Sequence, residues 1–73
     1  MSQAEDFCKE LNAAYKLPSG SFDNAMIRIC NRYGAQQVAR MPGLYVMNDG
    51  SRAQHNWRRS RVEGKQPFQV VTS

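Results

Sequence analysis

The chain has one histidine and two cysteines, and that scarcity excludes more than any motif in it suggests. Cys8 and Cys30 stand far apart without Cys-x-x-Cys spacing, so neither a disulfide framework nor a zinc finger is signalled. A metal site built from Cys8, Cys30 and His55 would need a fourth ligand that nothing in the sequence nominates. The six acidic residues lie mostly near the start, and no pair is spaced for proton transfer. There is no glycine-rich phosphate cradle of the Walker or Rossmann kind. No apolar run approaches the roughly 20 residues that cross a bilayer, and the acidic N-terminal stretch lacks the apolar core of a signal peptide. These absences lead us to expect a non-enzymatic, cytoplasmic protein that takes no cofactor and no metal and does not enter a membrane.

Seventy-three residues leave room for one small domain. A chain this short buries only about 60% of its unfolded surface. Without disulfides or metals, added stability is expected from a bound partner or a homo-oligomer. The apolar fraction of 41% is still too high for a disordered chain. There are no repeats, linkers or low-complexity tracts. The reading divides the domain into a helical part, residues 1–41, and a β-rich basic part, residues 44–73.

Two helices are expected first. Ser2-Gln3-Ala4-Glu5 reads as a capping box. Ala4, Phe7, Cys8, Leu11, Ala14 and Tyr15 then recur at the three- and four-residue steps of one buried stripe. Pro18 ends that helix near Lys16 or Leu17. Ser21 is the expected N-cap of a second helix carrying Phe22, Ala25, Met26, Ile29, Cys30 and Tyr33, closed by Gly34 in the left-handed position. The short loop implies antiparallel packing, which sets Cys8 opposite Cys30. Arg28, Asn31 and Arg32 fall on the far face. Ala35 to Met41 reads as a third, shorter helical turn stopped by Pro42-Gly43. A helix-turn-helix would leave its recognition helix only about seven residues before that proline, and the comparison is poor.

Leu44-Tyr45-Val46-Met47 reads as a strand, and Asn48-Asp49-Gly50 as the strongest turn signal in the chain. Beyond it the reading forks. Ser51 as N-cap, with Ala53 and Trp57 four residues apart, favours a helix over 51–62. Turn chemistry at both ends favours strands, and we prefer strands. Pro67 to Val71 reads as a last strand, with Pro67 marking an edge or a strand start. The fold class is therefore α+β: an N-terminal antiparallel helical hairpin followed by a small antiparallel β-sheet. Phe7, Leu11, Met26, Ile29, Val46 and one of Trp57 or Phe68 are the expected core.

Charge supplies the functional lead. From Met1 to Asn24 the chain carries Lys9 and Lys16 against Glu5, Asp6, Glu10 and Asp23, a net −2. From Ala25 onward Arg28, Arg32, Arg40, Arg52, Arg58, Arg59, Arg61 and Lys65 stand against Asp49 and Glu63, a net +6. Such asymmetry suggests an anionic partner for the basic half. Arg52, His55, Trp57, Arg58, Arg59, Arg61 and Lys65 are the candidate binding residues. Arginine forks match phosphate or carboxylate geometry, and Trp57 or His55 offers a stacking face. Nucleic acid is the first expectation. The alternative is a protein-interaction module, an inhibitor or accessory subunit docking a larger, acidic-surfaced or nucleic-acid-handling protein, since arginine and tryptophan also mark protein interfaces. The bland readings are that Trp57 is the largest core side chain and the arginines a solvated face.

Overall fold

The computed structural model describes residues 2–56 and 66–71. Trp57 to Lys65, where the later half of the 51–62 fork and the Glu63-Gly64 turn fall, lie outside the described residues. Helix α1 spans Gln3–Ala14 and α2 spans Ser19–Tyr33; strands β1 (Gln36–Gln37), β2 (Leu44–Val46), β3 (Arg52–His55) and β4 (Phe68–Val70) follow. The strands pair in sequence order, each antiparallel to its neighbour. The fold is α+β, with the helices packed on each other and α1 lying on β3 and β4.

Helix α1 starts as its cap dictates: the Ser2 hydroxyl accepts from the Glu5 N–H, filling one of the donors a helix N-terminus leaves open. Two more are filled from far along the chain. The Gln3 N–H donates to Asp49 Oδ2 (2.9 Å) and the Ala4 N–H to Ser51 Oγ (2.9 Å). The Gln3 side chain returns a bond, accepting from the Asp49 N–H at 3.0 Å. The Ser51 hydroxyl and N–H also donate to Asp49 Oδ1, and together with the Gln3 N–H, which contributes most, they hold the carboxyl of Asp49 below the usual carboxylate range. The β2–β3 turn is thus docked on the helix start. Its own backbone is a hairpin loop: Gly50 N–H donates to Met47 O, Met47 N–H to Ser51 O, and Gly50 takes the left-handed φ of 84° that such turns require.

Helix α2 begins two residues earlier than Ser21. Pro18 sits at the cap with ψ of 152°, and its carbonyl accepts from Phe22 N–H at 2.9 Å. A proline pre-sets φ just before a helix and needs no donor satisfied, so the ladder starts at Ser19 without Ser21's hydroxyl. At the other end Gly34 turns left-handed (φ 63°) and Ala35 N–H closes on Cys30 O at 2.8 Å, a Schellman-type stop. A Cβ on Gly34 would lie 2.2 Å from Asn48 Oδ1. Gly34→Ala should therefore cost more than the roughly 1–2 kcal/mol of left-handed backbone alone, read as a lower urea midpoint. Gly20→Ala is the control: it sits within α2, where a Cβ meets nothing within 4 Å, and should gain about 0.5–1 kcal/mol.

The expected third helical turn over Ala35–Met41 is overturned, and with it the helical boundary at residue 41. Gln36 and Gln37 instead pair with Val46 and Tyr45. Gly34 redirects the chain, and the turn over 38–43, closed by Val38 N–H to Leu44 O, lays it along β2. There the edge of β2 supplies partners that an isolated seven-residue helix would lack. The strand reading after Gly50 holds for Arg52–His55, as does the last strand at Phe68–Val70, which forms an edge of the sheet.

Phe7, Leu11, Ala25, Ile29, Met47, Ala53 and Phe68 lie in one buried cluster. Val46 was expected there, and Met47 takes its place. Side chains alternate across a strand, and Tyr45 packs against the helices, so Val46 turns to the opposite face with its partners Gln36 and Arg52. Met26 is half-buried against the cluster. Cys8 lies inside it and Cys30 packs on it, both as free thiols; burial pushes Cys8 up to about 11 and raises Cys30. Arg32 is exposed but not unengaged: it pairs with Glu10 of α1, which also accepts from the Tyr33 hydroxyl.

One buried polar residue had no counterpart in the sequence reading. Asn12 accepts from the Phe68 N–H at 2.9 Å and donates to the Phe68 carbonyl at 3.0 Å. In the β3–β4 register Phe68 faces His55, and the bonds of this pair run from Asn56 N–H to Pro67 O and from Val71 N–H to Arg52 O. Phe68's own N–H and C=O therefore point away from β3, where an edge strand would otherwise offer them to another chain. Asn12 takes both.

Candidate nucleic-acid interface

The basic segment is delimited by the sheet. It leaves β3 at Asn56 and rejoins at Pro67, where the Asn56 N–H donates to the Pro67 carbonyl at 2.7 Å. Trp57, Arg58, Arg59, Arg61 and Lys65 all lie between these two points and outside the described residues. Their chain positions are fixed even so: the four cations and the indole belong to one connection tied at both ends.

The two described candidates sit on different faces of β3. Arg52 is exposed and pairs with Val46, on the face turned from the helices beside Gln54. His55 is buried on the helix side, stacked on Phe68 with ring centroids 4.3 Å apart and planes 15° apart. The strand's strict alternation, exposed and buried by turns, separates them. Burial lowers the basicity of His55, so the imidazole is neutral in the folded protein at neutral pH.

That burial has a consequence for stability. The unfolded histidine takes up its proton near pH 6.5, while the folded one resists until lower pH. The unfolded state then binds more protons, and stability falls as pH drops below about 6.5 until the lowered folded value is passed. The urea midpoint should fall between pH 7.5 and 5.5, and His55→Phe should flatten that dependence. Asp49, whose carboxyl is shifted down, begins to lose its contribution only as pH falls through the carboxylate range, well below the pH at which the loss from His55 begins.

His55 also lines a cavity of about 280 Å³ together with Tyr15, Leu17, Ser19, Phe22 and Asp23. Tyr15 crosses Phe22 at 82° (centroids 5.3 Å) and His55 at 79° (5.9 Å). The sequence placed Tyr15 and Phe22 on buried stripes, and both are half-buried; what it could not place was their meeting with His55, 40 positions after Tyr15 and 33 after Phe22.

Among the described residues no three or more His, Cys, Asp or Glu side chains come together to hold a metal, and no helix is long and apolar enough to cross a membrane. Comparison of the chain with protein-family models, with curated proteins and with solved structures gives no match.

Proposed function

We propose that this is a small, non-enzymatic nucleic-acid-binding or regulatory protein of the cytoplasm, and that the segment between β3 and β4 is its binding element. The observation that carries the reading is the tie at Asn56 and Pro67. Four cations and one indole within a connection closed at both ends have fewer conformations to lose on binding than the same residues in a free tail. Arg58, Arg59, Arg61 and Lys65 contact phosphates in this reading, and Trp57 stacks.

Replacing Arg58 and Arg59 together with Ala tests it. In this reading both guanidiniums face the ligand rather than the core, so the fold should survive; substitutions away from cores and caps usually stay within about 0.5 kcal/mol. Affinity for nucleic acid should fall, and the slope of log affinity against log salt should flatten by about one unit per arginine. A double variant that binds every nucleic acid as the parent does would overturn the proposal.

A second reading, a module docking an acidic protein surface, is supported by large apolar side chains left outside: Ile27 on α2, with 61% of its surface exposed, Met41 and Leu17. In that case DNA and RNA do not compete with the partner, and Ile27→Asp weakens docking more than the arginine variants do.

A further inference from the structure

We infer that the cavity beside His55 is a slot for one unstacked base of a single-stranded nucleic acid. The inference rests on the reading above and narrows its ligand from nucleic acid in general to single strands.

The shape of the cavity is the first reason. His55 lies within 15° of the plane of Phe68, and Phe22 within 34° of that same plane. Phe22 and His55 are therefore inclined to each other by no more than about 49°, and Tyr15 crosses both close to the perpendicular. Two inclined ring walls with a third ring set across them offer their faces and edges to a flat ring more than to a rounded ammonium group. The volume, about 280 Å³, is just under the range of drug-sized pockets and suits a single ring system. His55 is backed by the stacked Phe68, so this wall is held in place by the core.

Polarity is the second. Ser19 and Asp23 supply a hydroxyl and a carboxylate among otherwise apolar and aromatic walls. A carboxylate accepts only, so it matches the amino and imino hydrogens on a base edge and repels a phosphate. The base enters and the backbone stays out.

Location is the third. His55 directly precedes Asn56, where the basic segment leaves the sheet, and Phe68 directly follows Pro67, where it returns. Phosphates held by that segment would bring their bases to this end of the sheet. Bases paired in a duplex cannot turn into such a slot without leaving the stack, whereas those of a single strand can.

The test is fluorescence anisotropy with labelled ten-nucleotide single strands of each base and a matched duplex, using the parent, Phe22→Leu, Asp23→Asn and the Arg58→Ala/Arg59→Ala pair. The parent should prefer single strands. Phe22→Leu should weaken them by about tenfold, within the range for one lost base–aromatic stack, and leave the salt slope unchanged. Asp23→Asn, an exposed position, should weaken the preference for bases that carry an amino group, because the amide keeps an acceptor but loses the charge that strengthens the bond. Should Phe22→Leu unfold, the parent still decides: the ring-proton resonances of His55 should shift upfield when a short single strand is added. Equal binding of duplex and single strand, with both slot variants behaving as the parent, would overturn the slot; so would unmoved His55 resonances at saturation. If the arginine pair still lowers affinity in those cases, the basic segment keeps its role and only the slot is lost. A parent that binds neither form removes both.

Discussion

Asn12→Ala should destabilise the fold by about 2–6 kcal/mol. The side chain is buried and gives and takes one hydrogen bond each with the backbone of Phe68. Truncation leaves an N–H and a carbonyl of the edge strand inside the protein with neither partner nor water, at about 1–3 kcal/mol apiece. Domains of this kind have only about 5–15 kcal/mol in total, so the loss would be a large part of the whole. Chemical denaturation gives the number, and Asn12→Asp gives the mechanism. The ionised carboxylate keeps the acceptor for Phe68 N–H but faces the Phe68 carbonyl with a second acceptor and a buried charge. Protonated, it regains a donor. Burial raises such a carboxyl above its unfolded value, so the stability of this variant should be greater at low pH and lost as pH rises through the raised value. An Asn12→Ala variant as stable as the parent would show that water or a rearranged edge replaces the amide.

Phe7→Ala should cost about 3–5 kcal/mol, the range for removing a buried aromatic ring. Phe7 has no exposed surface, and its ring meets Tyr33 of α2 edge-on at 6.3 Å, Tyr45 of β2 at 5.7 Å and Phe68 of β4 edge-on at 6.5 Å. One side chain thus joins both helices to two strands, and in so small a core little can move in to fill the space. Thermal unfolding should show either a greatly lowered midpoint or no cooperative transition. Ile27→Ala, at an exposed position on α2, should change stability by less than about 0.5 kcal/mol. The contrast separates burial from hydrophobicity as the cause.

The helices were legible because a stripe of apolar residues repeats at 3.6 and both ends carry local stop and start chemistry at Ser2, Pro18 and Gly34. Strands β2 and β4 were legible for a similar reason, their residues being β-prone and bounded by turns. Strand β1 was not, because two exposed glutamines carry no pattern; they are a strand only because Tyr45 and Val46 lie alongside. Asn12 was illegible in the same way. It reads as one more polar residue on a helix, and its value comes from Phe68, fifty-six positions away. In the candidate interface the composition pointed to Arg52 and His55 together, yet the period of the strand sends them to opposite faces. Tyr15 and Phe22 were read as core, and only the tertiary packing brings them beside His55.

The docking of the Asp49 turn on the start of α1 also bears on how the protein is made. This twelve-residue helix is too short to persist alone in water. Its first turn is completed by residues 46 and 47 positions later, and its last turn is tied to Phe68. During synthesis α1 therefore emerges before the residues that complete it. A nascent chain halted before Asp49 should be as sensitive to protease as an unfolded peptide, and protection should come in one late step once Phe68 is available. Every copy would pass through an interval with its apolar stripe uncovered, when a chaperone or a second nascent chain could reach it.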